Sequence, residues 1–480
     1  MRWATIFEEH SSVLAHWFAA GVSNATLVCL DAHLDLQFIE RSSIERLRRC
    51  TTATELRRLE SRHPLSPDRS SCYGIEDFLF PAARLGLIAR LIWVAPAHVA
   101  QGGLRAALSA LQQMEGVALA DLESFRRTPG GWIEGRLLGL DLAICNLAQL
   151  PQLTLKGPLL ADIDTDYFVR VPEDLVWTEP SAVVAALQAL PAIPAELTIS
   201  RSVGSGFLPL QHRFLADQLA ALWEHRQEDA DHWQHLLDQE HHLRAGRRDD
   251  ALAGLHLALA RRPDCAATCH ALGIASADSE ARKMHLAQAA ALAPAYADDL
   301  LRRLGEFRAR WKGLDLATVL ALQREVATLV DSPERQATAW VALGGLYSAF
   351  GRLEEALDCD AKSLRSGAGH PELALEIAKL HMARGEVDPA ISLLERAADD
   401  DETRVAAWVD LAECAFAKGD YADAIRLGQL AHRAAPAWPA VLKRLAVFAR
   451  ALGNDREAKR HLAHHYELTQ RINDLLARLM

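Results

Sequence analysis

Two short runs of side chains in this chain could hold a divalent cation: Asp31-Ala32-His33-Leu34-Asp35 and Asp162-Ile163-Asp164-Thr165-Asp166. Each follows an apolar run, TLVCL before the first and LLA before the second. Carboxylates gathered at the ends of buried strands repel one another and lose their hydration. A divalent cation offsets both costs. Along an extended segment residues i, i+2 and i+4 share one side, so Asp31, His33 and Asp35 can converge, as can Asp162 and Asp164. A donor set rich in oxygen with a few imidazoles favours Mn(II) over a thiolate-type zinc site. A lone D-x-D is more simply a loop or helix cap. Two such motifs, each behind an apolar strand, point to metal instead.

Those strands belong to a recurrent pattern. Residues 1–225 alternate apolar or β-branched runs with helical stretches, which predicts an α/β domain with a mainly parallel sheet. NATLVCLDAH (24–33), IARLIWVAP (88–96), GPLLADIDTDYF (157–168) and AELTISRS (195–202) read as strands; IEDFLFPAARLG and PSAVVAALQAL read as helices. Functional groups in such sheets collect at the carboxyl ends of the strands, where both motifs lie.

The pair DAHLD and DIDTD resembles the signatures of the arginase (ureohydrolase) superfamily. The wider pattern of HLD, GIEDFLFPAARLG, RLIWVAP, DIDTDYF and ISRS is similar to the branch that contains the peptide arginases of ribosomal natural-product biosynthesis, over about residues 5–215. The resemblance implies a three-layer α/β/α domain and a centre of two Mn(II) ions held by four Asp and two His. Carried onto this chain, the ligands are His10, Asp31, His33, Asp35, Asp162 and Asp164. His10 precedes the first long strand after acidic residues, and His16 is its alternative. Asp35 and Asp162 match the bridging positions, with Asp35 orienting the hydroxide that attacks the guanidinium carbon. The products are ornithine and urea. For the cationic substrate, Glu76 is the first candidate, as carboxylate partner or proton shuttle. Asp166, Arg201 and Ser202 are candidate substrate-binding residues, and His98 and His212 are spare shuttles. Two features depart from the ordinary arginase: Tyr167-Phe168 replace its Asp-Pro, and the domain is shorter, which suits a larger substrate than free arginine.

The second half repeats. Gly351, Gly385, Gly419 and Gly453 recur every 34 residues, as do Ala356, Ala390, Ala424 and Ala458, and Leu343, Ile377, Leu411 and Leu445. This is the tetratricopeptide (TPR) period. Each glycine falls where a first helix must end in a left-handed turn. Each alanine falls where two helices approach closely. AWVALGGLYSAFGRLEEA carries the fullest unit, with Trp340, Leu343, Gly344, Tyr347 and Ala356. Gly246, Ala251, Ala258 and Pro263 fit an earlier unit, Leu272 and Gly273 begin another, and 298–330 is helical but out of phase. About six units are expected in an all-α solenoid over 226–480, closed by a polar last helix. Such arrays bind peptides on their concave face. The His241–His242 and His464–His465 pairs read as solvated surface.

The net charge of -11 argues against a nucleic-acid partner. An acidic surface does suit an Arg-rich peptide. No run of about 18 apolar residues predicts a membrane span, and the N-terminal segment, interrupted by Glu8, Glu9, His10 and His16, does not read as a secretory signal. Eight dispersed cysteines without a CxxC pair read as free thiols of a reducing cytoplasm. The sequence is compatible with a monomer or an oligomer. The leading expectation is a binuclear-metal hydrolase of arginine residues in a peptide docked by the repeats. The competing readings are another C–N hydrolase, of agmatine or acylamine type, and a non-catalytic repeat scaffold with a degenerate hydrolase domain.

Overall fold

A computed structural model describes residues 2–61, 63–66, 70–101, 104–170, 173–194, 196–329, 332–366 and 369–480. The chain divides into two compact units, neither of them continuous in sequence. The first comprises Met1–His10 with Leu160–Ala309, and the second Ser11–Leu159 with Arg310–Met480. Residue 225, where the sequence pattern changes, is interior to the first unit.

In the first unit, strand Trp3–Phe7 pairs in parallel with Glu196–Ser200, which pairs in parallel with Leu159–Asp164. Strand alternation separates the two faces of the central strand. Leu197 and Ile199 are wholly buried on one, and Thr198 and Ser200 turn to the other. Helices Pro180–Gln188 and Leu215–Trp223 follow, then the hairpins Gln227–Arg244 with Arg248–Arg261 and Ala266–Ala275 with Ser279–Leu292, and helix Leu300–Ala309. Helical repeats and strands therefore share this unit. Two glycines make one contact possible: a Cβ on Gly206 would lie 2.6 Å from the Cα of Gly305.

A buried ion triad ties the first repeat helix to this unit. His212 is wholly buried, with Nε2 3.1 Å from Asp174 and Nδ1 3.1 Å from Glu240 of helix Gln227–Arg244. Burial alone would pull the imidazole pKa down. Glu240 and Asp174 outweigh it and hold the ring at about 9.

In the second unit, strands Ala25–Leu30, Ile88–Val94 and Leu140–Cys145 run parallel to one another. Ile133–Leu137 and the short Arg126–Arg127 are added antiparallel at the edge. The four expected strands are all present. Trp3–Phe7, Ile133–Leu137 and Leu140–Cys145 are additions, and the last two carry charged residues that hide their strand character. The expected helix over IEDFLFPAARLG is confined to Leu79–Arg84, leaving Glu76 and Asp77 in the turn before it.

The repeats of this unit follow helix Leu316–Thr328. They are the hairpins Pro333–Ala349 with Leu353–Ser366, Pro371–Ala383 with Val387–Ala397, Arg404–Ala417 with Tyr421–Ala434, and Pro439–Ala451 with Asp455–Leu479. At Gly385 (φ 78°) the chain takes the left-handed turn that closes a helix. Gly385 N–H donates to Met382 O and Glu386 N–H to His381 O, both at 3.0 Å, satisfying carbonyls that would otherwise be orphaned. The same pair of bonds recurs at Gly351, Gly419 and Gly453. Ala356, Ala390, Ala424 and Ala458 are at most 1% exposed. The hairpins are also tied to the first half of the chain. Glu40 N–H donates to Asp401 at 2.7 Å, Gly116 N–H donates to Ala434 O at 2.9 Å, and Arg471 grips Glu123 at 2.6 Å.

Two outcomes follow. Ala424→Leu should destabilise the protein by about 1–3 kcal/mol through overpacking, read from chemical denaturation; an unchanged midpoint would mean that the alanine column has slack. For His212 the folded-state pKa is raised, so its stabilisation is complete below pH 6.5 and lost as pH rises through about 9. The difference in melting temperature between wild type and His212→Gln should shrink from pH 6 to pH 9.5; a constant difference would show that the ring folds neutral.

Candidate metal centre

In the first unit the DIDTD motif lies on strand Leu159–Asp164, with Asp162 and Asp164 two residues apart and therefore on one face. The neighbouring strand brings Thr198 opposite Asp162 and Ser200 opposite Asp164. The Thr198 hydroxyl donates to Asp162 Oδ1. The Ser202 hydroxyl donates to Asp164 Oδ2 at 2.6 Å. His10, just beyond strand Trp3–Phe7, brings its imidazole to both carboxylates, with Nε2 2.5 Å from Asp162 Oδ2 and Nδ1 3.3 Å from Asp164 Oδ2. His10, Asp162 and Asp164 are 0%, 0% and 2% exposed. Two carboxylates and one imidazole in a dry setting are short of positive charge by at least one unit, even with the ring protonated. A divalent cation would supply it. An imidazole that ligates through one nitrogen and donates from the other to a carboxylate is an ordinary metal-site arrangement.

Ser202 holds a left-handed backbone, φ 47°. Two hydrogen bonds fix it there: its N–H donates to Glu8 O at 2.9 Å, and its carbonyl accepts from Leu208 N–H at 2.9 Å. The Arg201 guanidinium is bound to Asp217 through both terminal nitrogens at 3.0 Å, so it serves an ion pair inside the unit. Asp166 is buried beside the site, its N–H donating to Asp164 Oδ1 at 3.1 Å. His212 belongs to the ion triad described above.

In the second unit Asp31 follows strand Ala25–Leu30 and is 1% exposed. The Trp93 indole donates to its carbonyl at 2.9 Å, and His33 N–H donates to its Oδ1 at 2.7 Å. The His33 side chain is half exposed. Asp35 is buried with φ 41°. The extended alternation expected through Asp31, His33 and Asp35 is therefore broken: the strand ends at Leu30, the chain bends at Ala32–His33, and the backbone turns left-handed at Asp35. His16, on helix Val13–Ala19, and His98, on the short helix Ala97–Gln101, are both half-buried in this unit.

Glu76 is where the repeats meet this segment. The Gln37 amide donates to Glu76 Oε2 at 3.2 Å. A carboxyl from the repeats, Glu402, shares a hydrogen bond with Glu76. Burial raises the Glu76 pKa, and Glu372, also from the repeats, raises it further; the Glu402 hydrogen bond and His33 pull it back. Glu402 touches solvent, yet the protein packed round it and the charge of Glu76 push its carboxyl well above the usual range. Asp77, raised strongly by burial, lies beside them.

Buried His, Asp and Cys groups in this chain could bind a metal ion. Among them is Cys29, which the sequence pattern did not mark as a ligand; none of the eight cysteines is in a disulfide. Thr198 was also missed, although alternation along TISRS groups Thr198, Ser200 and Ser202. Glu372 and Glu402 gave no signal at all, being some three hundred residues from Glu76.

Residues 381–437 match the tetratricopeptide repeat family. No curated protein matches the chain. Solved structures similar to it include YrrB, described as a TPR protein with an unusual peptide-binding site (16% identity over 45% of this chain and 91% of that one, TM-score 0.27). BtubC from P. vanneervenii is similar at 12% identity (49% and 92%, TM-score 0.30), and a thermophilic TPR protein of Thermus thermophilus, TTC0263, at 20% (46% and 98%, TM-score 0.19). Residues 381–437 thus carry tetratricopeptide repeats, a class of module that binds proteins or peptides.

Proposed function

We propose that this protein is an arginase-like metallohydrolase that converts arginine residues of a peptide to ornithine, its repeats holding the peptide. The observation that carries the reading is the meeting of Glu372 and Glu402, from the repeats, with Glu76 beside the His33–Asp35 motif. A repeat module that only docked a partner would have no reason to bring carboxylates there. A substrate guanidinium gives one. The buried His10–Asp162–Asp164 group supports the metal side of the reading.

The proposed ligands are His10, Asp31, His33, Asp35, Asp162 and Asp164, with two Mn(II) ions. When bound, the metals supply hydroxide at neutral pH. The chain supplies the rest. His10, Thr198 and Ser202 fix the orientation of Asp162 and Asp164. Glu76 takes the guanidinium through charge-assisted hydrogen bonds. Glu402, hydrogen-bonded to Glu76, holds that carboxylate in place. Water adds to the guanidinium carbon, the bond from that carbon to the side-chain nitrogen breaks, and that nitrogen takes a proton. Urea and a peptidyl ornithine leave.

Purified protein should contain Mn(II) by elemental analysis. Arg-containing peptides incubated with it should lose the mass of one cyanamide unit and release urea. Asp164→Ala should lose metal and turnover together while keeping its helical circular dichroism. Glu76→Gln should keep its metal and raise KM for the peptide about ten- to a hundredfold, the cost of one charge-assisted hydrogen bond. Metal-loaded protein that leaves Arg peptides intact would sink the reading and leave a protein-binding repeat module.

A further inference from the structure

The strand beside the DIDTD motif, Glu196–Ser200, and the loop after it carry hydroxyls at three alternate positions, Thr198, Ser200 and Ser202. The outer two have defined work: Thr198 donates to Asp162 and Ser202 to Asp164. Ser200 is different. It is wholly buried, and its hydroxyl has no hydrogen-bond partner among the described residues. In register it lies opposite Asp164, and Thr198 opposite Asp162. Paired residues of adjacent strands point to the same side, so Ser200 faces the side on which His10 bridges the two carboxylates. A buried hydroxyl without a partner costs stability, whereas alanine at the same place would cost nothing. The hydroxyl becomes favourable when something on that face supplies its missing partner.

We propose that Ser200 is a positioning residue of the metal centre, its hydroxyl completed by a hydrated divalent cation held at His10, Asp162 and Asp164. This rests on the metallohydrolase reading. The three hydroxyls then divide the task. Thr198 and Ser202 orient the two carboxylates, and Ser200 orients the hydration shell of the cation. A neutral hydroxyl suits that place, because it accepts or donates without adding charge to a set already rich in negative charge.

The test compares Ser200→Ala with wild type, with and without Mn(II). After stripping with a chelator, Ser200→Ala should melt at the same temperature as wild type or higher, since it loses only an unpaired hydroxyl. Thr198→Val and Ser202→Ala should both melt lower, because each removes a hydroxyl donor from a buried carboxylate. In a calorimetric titration with Mn(II) alone, Ser200→Ala should bind about 10- to 100-fold more weakly, the usual effect of losing a group behind the ligands. Wild-type affinity in Ser200→Ala would overturn the role of Ser200 and leave the metal centre standing. A stripped Ser200→Ala protein that melts well below wild type would also overturn it, by showing a structural partner. Wild type that binds no Mn(II) takes down the metal centre and Ser200 together.

Discussion

Asp162 and Asp164 lie on one face of one strand, almost without water. Like charges so placed repel, and each has given up its hydration. Removing a partner from a buried charge costs about 3–5 kcal/mol, so the surrounding structure is bound to supply partners. It does so from both sides of the sequence. The first ten residues form a strand and deliver His10. A segment some forty residues beyond the motif forms the adjacent strand and delivers Thr198 and Ser202. The left-handed backbone at Ser202 belongs to the same requirement, since it turns the hydroxyl back onto Asp164. The first unit is discontinuous in sequence because the partners of these two carboxylates are.

The repeats obey a different constraint. A two-helix hairpin cannot bury its own apolar face, so each is stable only against its neighbours. In this chain the stacking does not end at the hairpins. His212 locks the first repeat helix through Glu240, and Arg404 gathers Asp401, Glu40 and Glu115 where a later hairpin meets the segment that follows the DAHLD motif. With such ties the repeats are built into the units that hold the polar motifs. Binding of a protein or peptide by the repeats would act on hairpins that also hold Glu372, on helix Pro371–Ala383, and Glu402, in the turn before helix Arg404–Ala417.

Much of this was legible before any coordinate. Period 34 in glycine, alanine and leucine columns names a helical hairpin array, because each column has a local cause: a left-handed turn, a close approach, an apolar stripe. The four strongest strands were legible from their apolar runs. Ile133–Leu137 and Leu140–Cys145 were not, since Glu134, Arg136 and Asp141 on their wet sides mask the strands. In the DIDTD segment, Asp162 and Asp164 were legible as a pair on one side of an apolar strand, whereas His10 came only from the resemblance, with His16 as its alternative. The left-handed turn at Asp35 was not, because a non-glycine residue takes that conformation only when its surroundings force it.

The sequence by itself determined which residues carry charge, where strands and helices begin, and that the second half repeats. Those properties are local, set by side-chain chemistry and by periods of a few residues. The tertiary structure alone decided the pairings: His10 with Asp162, Thr198 and Ser202 behind the carboxylates, Arg201 given to Asp217, and Glu402 with Glu76. Partners separated by 16 to 326 positions leave no periodic trace, from Arg201–Asp217 to Glu76–Glu402. Only the register of parallel strands and the stacking of helices bring them within the few ångströms at which a proton or an ion can be shared.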